Sequence, residues 1–130
     1  MSDSDVYPSE WTDCNCPPAD SVEPNGNYYR AVENSPTTQD DFLNSVEADK
    51  FQKSPHCDRL AVSMLNTWEG AVYHLKLFPF KADWFIATVS LTPTHGKVKD
   101  TPSKKQPSHT DWWPFPHIVR ESTVTNVRKP

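Results

Sequence analysis

The chain has 130 residues and a formal net charge of −4, with 13 prolines but only three glycines. That length suits one domain with a modest core, and no stretch approaches the roughly 20 apolar residues of a membrane-spanning helix. The N-terminus also lacks the basic start and apolar run of a secretory signal. We therefore expect a single soluble, cytoplasmic protein without a membrane partner.

Residues 1–26 differ from the rest of the chain in charge and composition. They hold six acidic residues and no Lys or Arg, so this segment carries −6 and leaves +2 for the remainder. Four prolines interrupt it, and it shows neither helical nor strand periodicity. We predict a disordered acidic arm over residues 1–26 and a single α+β domain over residues 27–130. The arm could cover the basic C-terminal third or remain a solvated tail.

The three cysteines, Cys14, Cys16 and Cys57, form an odd set. An odd number gives no disulfide framework and agrees with a reducing compartment. Together with His56 they match none of the common zinc-binding spacings, so we predict no metal site.

The first elements of the domain are a strand and a short helix. The turn signal Asn25-Gly26 precedes residues 28–32, which have the composition of a strand. Thr37 and Thr38 are each followed three residues later by an aspartate, a spacing similar to a capping box. This pattern predicts a helix that ends near Lys50.

Two strands and a second helix follow. Residues 60–65 form a nearly continuous apolar run, which predicts a buried central strand. Asn66 is the predicted cap of a helix that has apolar residues at positions 68, 71, 72 and 75 and ends before Pro79. Residues 84–92 alternate with a period of two, with one face formed by Phe85, Ala87, Val89 and Leu91.

The C-terminal third has the composition of further strands. Residues 96–100 predict a weak charged strand and residues 101–108 a mobile loop, while residues 111–114 and 117–127 again favour strand. Helices therefore precede most of the strands along the chain. Such segregation predicts an α+β fold with a mixed, mostly antiparallel sheet and two short helices.

Residues 108–113 combine an imidazole, a carboxylate and two indoles. In a strand Asp111 and Trp113 would share one face, so Trp112 could be core while Trp113 lines a pocket with the carboxylate. A structural pair of tryptophans beside a surface aspartate is equally compatible with this pattern. His109 is the titratable base of the group.

Arg30 and Ser63 are the other candidate site residues. Arg30 follows two tyrosines and could bind phosphate through its guanidinium fork or stack on a ring. Ser63 lies in an apolar strand and could face a cleft or bond to neighbouring backbone. A hydrolase triad of Ser63, His109 and Asp111 is disfavoured, because no nucleophile-elbow sequence surrounds any serine. The acidic total charge likewise disfavours nucleic acid as a partner.

The order of these elements resembles the small ADP-ribosyltransferase-like domains over about residues 27–127. The matching features are Tyr28-Tyr29-Arg30 on the first strand, Ala61-Val62-Ser63-Met64 before the second helix, a Pro-x-x-Gly-x-Val continuation after the long strand, and Asp111-Trp112-Trp113-Pro114. The resemblance implies a split, mostly antiparallel sheet with an NAD-binding cleft. It also implies that Arg30 holds a phosphate or ribose, that Ser63 shapes the nicotinamide pocket, and that Asp111 replaces the family's glutamate.

The resemblance thus implies an ADP-ribosyltransferase-like NAD-binding domain of toxin or effector type, which transfers ADP-ribose or cleaves NAD. Asp111 and Ser63 are the expected catalytic residues, and NAD is the substrate. The expected NAD contacts are Arg30, Tyr29, Trp113 and His109. The chain lacks a Glu-x-Glu motif, which keeps open a non-catalytic interaction module on the same scaffold. Its protein partner would then bind the N-terminal arm or the edge formed by Trp112 and Trp113.

Overall fold

A sheet of six antiparallel strands is the scaffold of this protein, whose structure is a computed structural model that describes residues 7–48 and 56–130. The strands are β1 (Gly26–Val32), β2 (Val62–Leu65), β3 (Phe85–Leu91), β4 (Gly96–Asp100), β5 (His109–Pro114) and β6 (Val124–Arg128), and their order in the sheet is β4-β5-β2-β1-β3-β6. Two α-helices, α1 (Ser9–Thr12) and α2 (Trp68–Leu77), accompany them. The predicted α+β class is confirmed. No helix within the described residues is long and apolar enough to cross a membrane.

The two faces of the sheet bury separate apolar clusters. One face, here the Phe42 face, packs against Phe42 and is formed by Val32, Val62, Met64, Ala87, Val89, Leu91, Val98 and Trp112. The opposite face, here the α2 face, carries Ala31, Leu65 and Ile86 beneath the helix. The period-two pattern of β3 predicted this division, because alternate side chains of a strand point to opposite faces.

Helix α2 packs on the sheet through the apolar stripe that its sequence predicts. Ala71 and Leu75 are buried against the α2 face. The cap is Thr67 and not the predicted Asn66, since the Thr67 side chain accepts a hydrogen bond from the Gly70 N–H at 3.0 Å. The helix ends at Leu77, two residues before Pro79, which has no N–H to donate.

The helix predicted to end near Lys50 is wrong. Its N-terminal part forms only a 3₁₀ turn over Gln39–Phe42, and residues 49 and 50 lie outside the described residues. The Asp41 carboxylate accepts hydrogen bonds from the backbone N–H groups of Thr38 and Glu33, which ties the turn to the end of β1. Phe42 then enters the core, and this tertiary contact overrides the local helical pattern.

Residues 7–24, here the N-terminal segment, lie against the sheet, whereas the sequence predicts a disordered arm. The Tyr7 hydroxyl donates to the Trp113 carbonyl at 2.6 Å, and Val22 exchanges backbone hydrogen bonds of 2.8 Å with Val98. Asp20 forms an ion pair with Lys99 at 3.0 Å. The aromatic side chains Tyr7 and Trp11 bury apolar surface against Trp113, which stabilises this packing. Residues 1–6 of the predicted arm lie outside the described residues.

A disulfide joins Cys16 to Cys57, so the expectation of no disulfide framework is wrong. The bond links the N-terminal segment to the chain just before β2. The Cys57 carbonyl also accepts a hydrogen bond from the Trp113 indole at 2.9 Å. Cys14 remains a free thiol. The odd count of cysteines could not reveal this pairing, since it depends on the approach of residues 41 positions apart in the sequence.

The strand predicted over residues 117–127 forms only at its C-terminal end. Residues Arg120–Thr123 make a 3₁₀ turn, and β6 then pairs with β3. Arg120 donates to the Phe42 carbonyl at 2.8 Å and forms an ion pair with Glu47 at 2.6 Å. These contacts hold residues 115–123 over the Phe42 face and prevent them from extending the sheet.

Candidate functional site

The sheet is split between β1 and β2. These strands share a single register pair, Tyr29 with Leu65, whereas β1 and β3 share seven pairs. The guanidinium of Arg30 fills the gap beyond that pair. Its Nη1 donates to the Ser63 carbonyl at 2.6 Å, and its Nε donates to the Asp41 carbonyl at 2.6 Å. The Arg30 side chain therefore hydrogen-bonds the Ser63 carbonyl of β2, which a backbone N–H of a neighbouring strand would otherwise bind.

A cavity of about 600 Å³ lies at this split. Its strand-derived lining includes Arg30 on β1 and Ser63 on β2, with His109 on β5 and Gln106 in the loop before it. The turn after β1 contributes the exposed carboxylate Glu33 and its neighbours. The volume falls within the range of about 300–1,000 Å³ that is usual for small-molecule sites.

Aromatic side chains form the opposite wall, at the C-terminal end of α2. The ammonium of Lys81 lies 5.0 Å from the ring centroid of Phe78, 5.7 Å from that of Phe80 and 4.9 Å from that of Trp84. These distances are typical of cation–π contacts. Phe80 is 74% exposed, so this wall presents a large ring to the solvent and to any ligand.

His74 is neutral in this wall at pH 7. Burial and the nearby charge of Lys81 lower the pKa of His74 to about 4. The Lys81 ammonium lies 3.0 Å from Nε2 of the ring, which a neutral imidazole offers as an acceptor. Of His74 and Lys81, only Lys81 therefore carries a charge at pH 7.

Arg30 brings a desolvated positive charge to the cavity. Burial lowers the pKa of Arg30 to about 10, so the guanidinium stays protonated at neutral pH. Its two hydrogen bonds go to neutral carbonyls and not to a carboxylate. The nearby Asp41 carboxylate offsets part of the cost of desolvating this charge, and an anionic group in the cavity would offset more of it.

Three of the six residues expected to form the site line the cavity, namely Arg30, Ser63 and His109. Ser63 is exposed on the α2 face. The His109 ring is fixed by the Thr101 hydroxyl, which lies 2.7 Å from Nδ1. Of the three residues to which the resemblance gives roles at NAD, Arg30 and Ser63 line this cavity and Asp111 does not.

Asp111 does not line the cavity, although it lies directly opposite Ser63 in the sheet register. The side chain is 3% exposed. Burial raises the pKa of Asp111, against the opposing effects of His109 and of a hydrogen bond from Thr101. In this conformation its carboxylate supports the packing beside the cavity and has no direct access to a ligand.

Tyr29 and Trp113, which the resemblance assigned to NAD contacts, also lie outside the cavity lining. Tyr29 makes an edge contact with Trp68, with the ring centroids 6.0 Å apart. Trp113 is buried beneath the N-terminal segment, and Trp112 is buried on the Phe42 face. Because both indoles are covered, their edge offers no exposed surface to a protein partner.

Several lining residues were absent from the sequence-based prediction, among them Gln106, His74, Glu33 and the aromatic residues around Lys81. The sequence Phe78-Pro79-Phe80-Lys81 could have indicated part of this wall, because aromatic rings next to a lysine can form cation–π contacts. No group of three His, Cys, Asp or Glu side chains within residues 7–48 and 56–130 is arranged to hold a metal ion.

Comparison with known proteins identifies no relative of this chain. No protein-family model, no curated protein and no solved structure matches the chain.

Proposed function

We propose that the cavity binds NAD and that the chain is an ADP-ribosyltransferase-like domain, which transfers ADP-ribose or cleaves NAD. The observation that carries the proposal is the partly buried guanidinium of Arg30 at the split between β1 and β2. It lies in the lining of a cavity of about 600 Å³ whose other wall is aromatic.

The chemical parts of NAD match the parts of this cavity. A guanidinium fork pairs with the oxygens of a pyrophosphate, and the Arg30 side chain hydrogen-bonds two backbone carbonyls and no carboxylate oxygen. Flat rings such as adenine and nicotinamide stack on aromatic side chains, and Phe80 and Trp84 offer such surfaces. Ser63 and His109 supply polar groups on the strand side.

Cleavage of the glycosidic bond needs a carboxylate that reaches the ribose. The bond from ribose C1′ to the nicotinamide nitrogen breaks, its electron pair leaves with nicotinamide, and positive charge develops on the ribose. Water or an acceptor group then adds to C1′ and releases a proton. We assign the carboxylate role to Glu33, because it lines the cavity and its backbone N–H is fixed by the Asp41 carboxylate at 3.0 Å.

Calorimetric titration with NAD tests binding. Stacking of a base on an aromatic side chain contributes about 1–3 kcal/mol, so we expect Phe80→Ala to weaken NAD binding by about five- to 150-fold. Phe80 is largely exposed, and its truncation should leave the fold intact. The matched control is Tyr73→Ala, since Tyr73 is 45% exposed on α2 and does not line the cavity. Absence of NAD binding by the wild-type protein would overturn the proposal.

Release of nicotinamide tests the chemistry. Removing a group that stabilises developing charge typically lowers the rate about a hundredfold or more. We therefore expect Glu33→Gln to lose most of the release while NAD still binds, and Asp111→Asn to retain it. If Asp111→Asn loses nicotinamide release and Glu33→Gln retains it, the catalytic role belongs to Asp111, as the sequence resemblance implies.

A non-catalytic interaction module is the second candidate function. The burial of Asp111 outside the cavity favours it, as do the exposed, contacting rings of Phe78 and Phe80. Exposed apolar patches commonly bind partner proteins. For such a module we expect no NAD binding, loss of biological activity in Phe80→Ala, and full activity in Glu33→Gln.

A further inference from the structure

The side chain of Gln106 is buried in the cavity lining and has no hydrogen-bond partner among residues 7–48 and 56–130. It is 8% exposed, and neither its Nε2 nor its Oε1 is bonded to any residue in the described part of the chain. Well over nine tenths of buried polar groups in proteins are paired. A carboxamide with both ends unpaired is therefore a feature that needs a physical explanation.

The backbone around Gln106 is fully bonded, which distinguishes the residue from a loosely placed loop. Its N–H donates to the Ser103 hydroxyl at 3.0 Å. Its carbonyl accepts hydrogen bonds from the backbone N–H groups of Ser103 and His109, both at 3.1 Å. The turn thus fixes the Gln106 main chain beside His109, whereas the Gln106 carboxamide and the nearby Ser108 hydroxyl have no hydrogen-bond partner in the described part of the chain.

A glutamine carboxamide presents a donor and an acceptor in one plane. It pairs through two hydrogen bonds with any flat edge that carries one donor beside one acceptor. We propose that Gln106 is a specificity residue that turns its carboxamide into the cavity and forms such a pair with the ligand. The inference rests on the proposed function, because NAD carries two edges of this kind, the carboxamide of nicotinamide and the amino edge of adenine.

The two amide atoms lie below the protein surface in the unliganded conformation, so recognition requires rotation of the side chain. Rotation about the side-chain bonds leaves the hydrogen bonds of the turn in place, because those bonds involve only the Gln106 main chain. The unpaired state raises the free energy of the unliganded protein, and pairing with a ligand removes that penalty.

Replacement by methionine separates ligand recognition from structural packing, because methionine has a similar volume and no polar end. If the carboxamide is unpaired, Gln106→Met should raise the thermal midpoint of the unliganded protein and at the same time weaken ligand binding. A carboxamide with a structural role would give a lower midpoint instead. Gln39→Met is the matched control, since Gln39 is exposed and lies outside this cavity.

The probes are NAD, ADP-ribose, nicotinamide and adenosine, each titrated into wild type and both variants. Two lost hydrogen bonds predict that Gln106→Met binds NAD about tenfold or more weakly than wild type, while Gln39→Met binds it unchanged. An equal loss on ADP-ribose, which lacks nicotinamide, assigns Gln106 to adenine. A loss confined to NAD and nicotinamide assigns it to the carboxamide.

The inference is overturned if Gln106→Met binds every probe as wild type does, if its thermal midpoint falls, or if wild type binds none of the four probes. NAD binding that is unchanged in Gln106→Met refutes the role of Gln106 and leaves the proposed function standing. Binding of nicotinamide or adenosine that depends on Gln106, without binding of NAD, supports the role of Gln106 and refutes the proposed function.

Discussion

Replacing Cys16 with serine removes the covalent link between the N-terminal segment and Cys57. The link closes a loop across 41 residues of sequence. Loop-closure entropy for that separation predicts that the crosslink stabilises the folded state by about 4 kcal/mol, and measured values for disulfides are commonly about 2–4 kcal/mol. Since small domains unfold with only about 5–15 kcal/mol, this change should be easily measured.

The assay is urea unfolding of the oxidised wild type, of Cys16→Ser, of Cys57→Ser, and of the wild type kept in reductant. We expect the last three to share one lowered midpoint, because each lacks the same crosslink. Cys14→Ser is the matched control, since Cys14 is a free thiol two residues away. Cys14→Ser should unfold at the same urea concentration as the oxidised wild type.

Two outcomes would refute this reasoning. If Cys16→Ser and the reduced protein unfold at the same urea concentration as Cys14→Ser, the crosslink does not stabilise the protein. If Cys14→Ser is the variant that loses stability, the pairing of the cysteines differs from the one described.

Three further predictions concern the fold. Gly70→Ala should destabilise the protein by about 1–3 kcal/mol despite the helix preference of alanine, because the new Cβ would lie 1.9 Å from the Ser108 hydroxyl. In urea unfolding, the double variant Gly70→Ala/Ser108→Gly should recover that loss. Gly96→Ala should lower the free energy of unfolding by about 2 kcal/mol or more, because φ is +130° and the new Cβ would lie 2.1 Å from the Trp113 carbonyl. An unchanged urea midpoint would contradict this packing. The pKa of His74 is lowered to about 4 in the folded protein, so folding favours its neutral form and stability falls as the pH drops from about 6.5 towards 4. His74→Gln should flatten that dependence, and equal slopes for both proteins would contradict it.

Local periodicity predicted the parts of the fold that depend on neighbouring residues. The alternation in β3 and the apolar stripe of α2 report directly which side chains face the core. Asp41 does complete a capping box with Thr38, but it also bonds the Glu33 N–H just after β1, and the helix stops after one 3₁₀ turn because Phe42 enters the core. A cap-like spacing marks where a helix begins and cannot show how far it continues.

The candidate site was only partly predictable, because it arises where two strands diverge. Arg30 and Ser63 could be singled out from their residue types, and both line the cavity. Asp111 could be singled out as well, yet strand register and burial determine that it lies outside the lining. Gln106 carries no local signal, since its importance comes from a missing partner and not from its sequence context.

The pairing of Val22 with Val98 has a consequence for the behaviour of the protein in concentrated solution. Val22 occupies the backbone N–H and C=O of Val98 on β4, the strand at one edge of the sheet. Uncovered edge strands offer a template on which a strand from another chain can add. The N-terminal segment therefore covers this part of the sheet edge. We expect its removal to leave the β4 edge open to pairing with a strand of another chain.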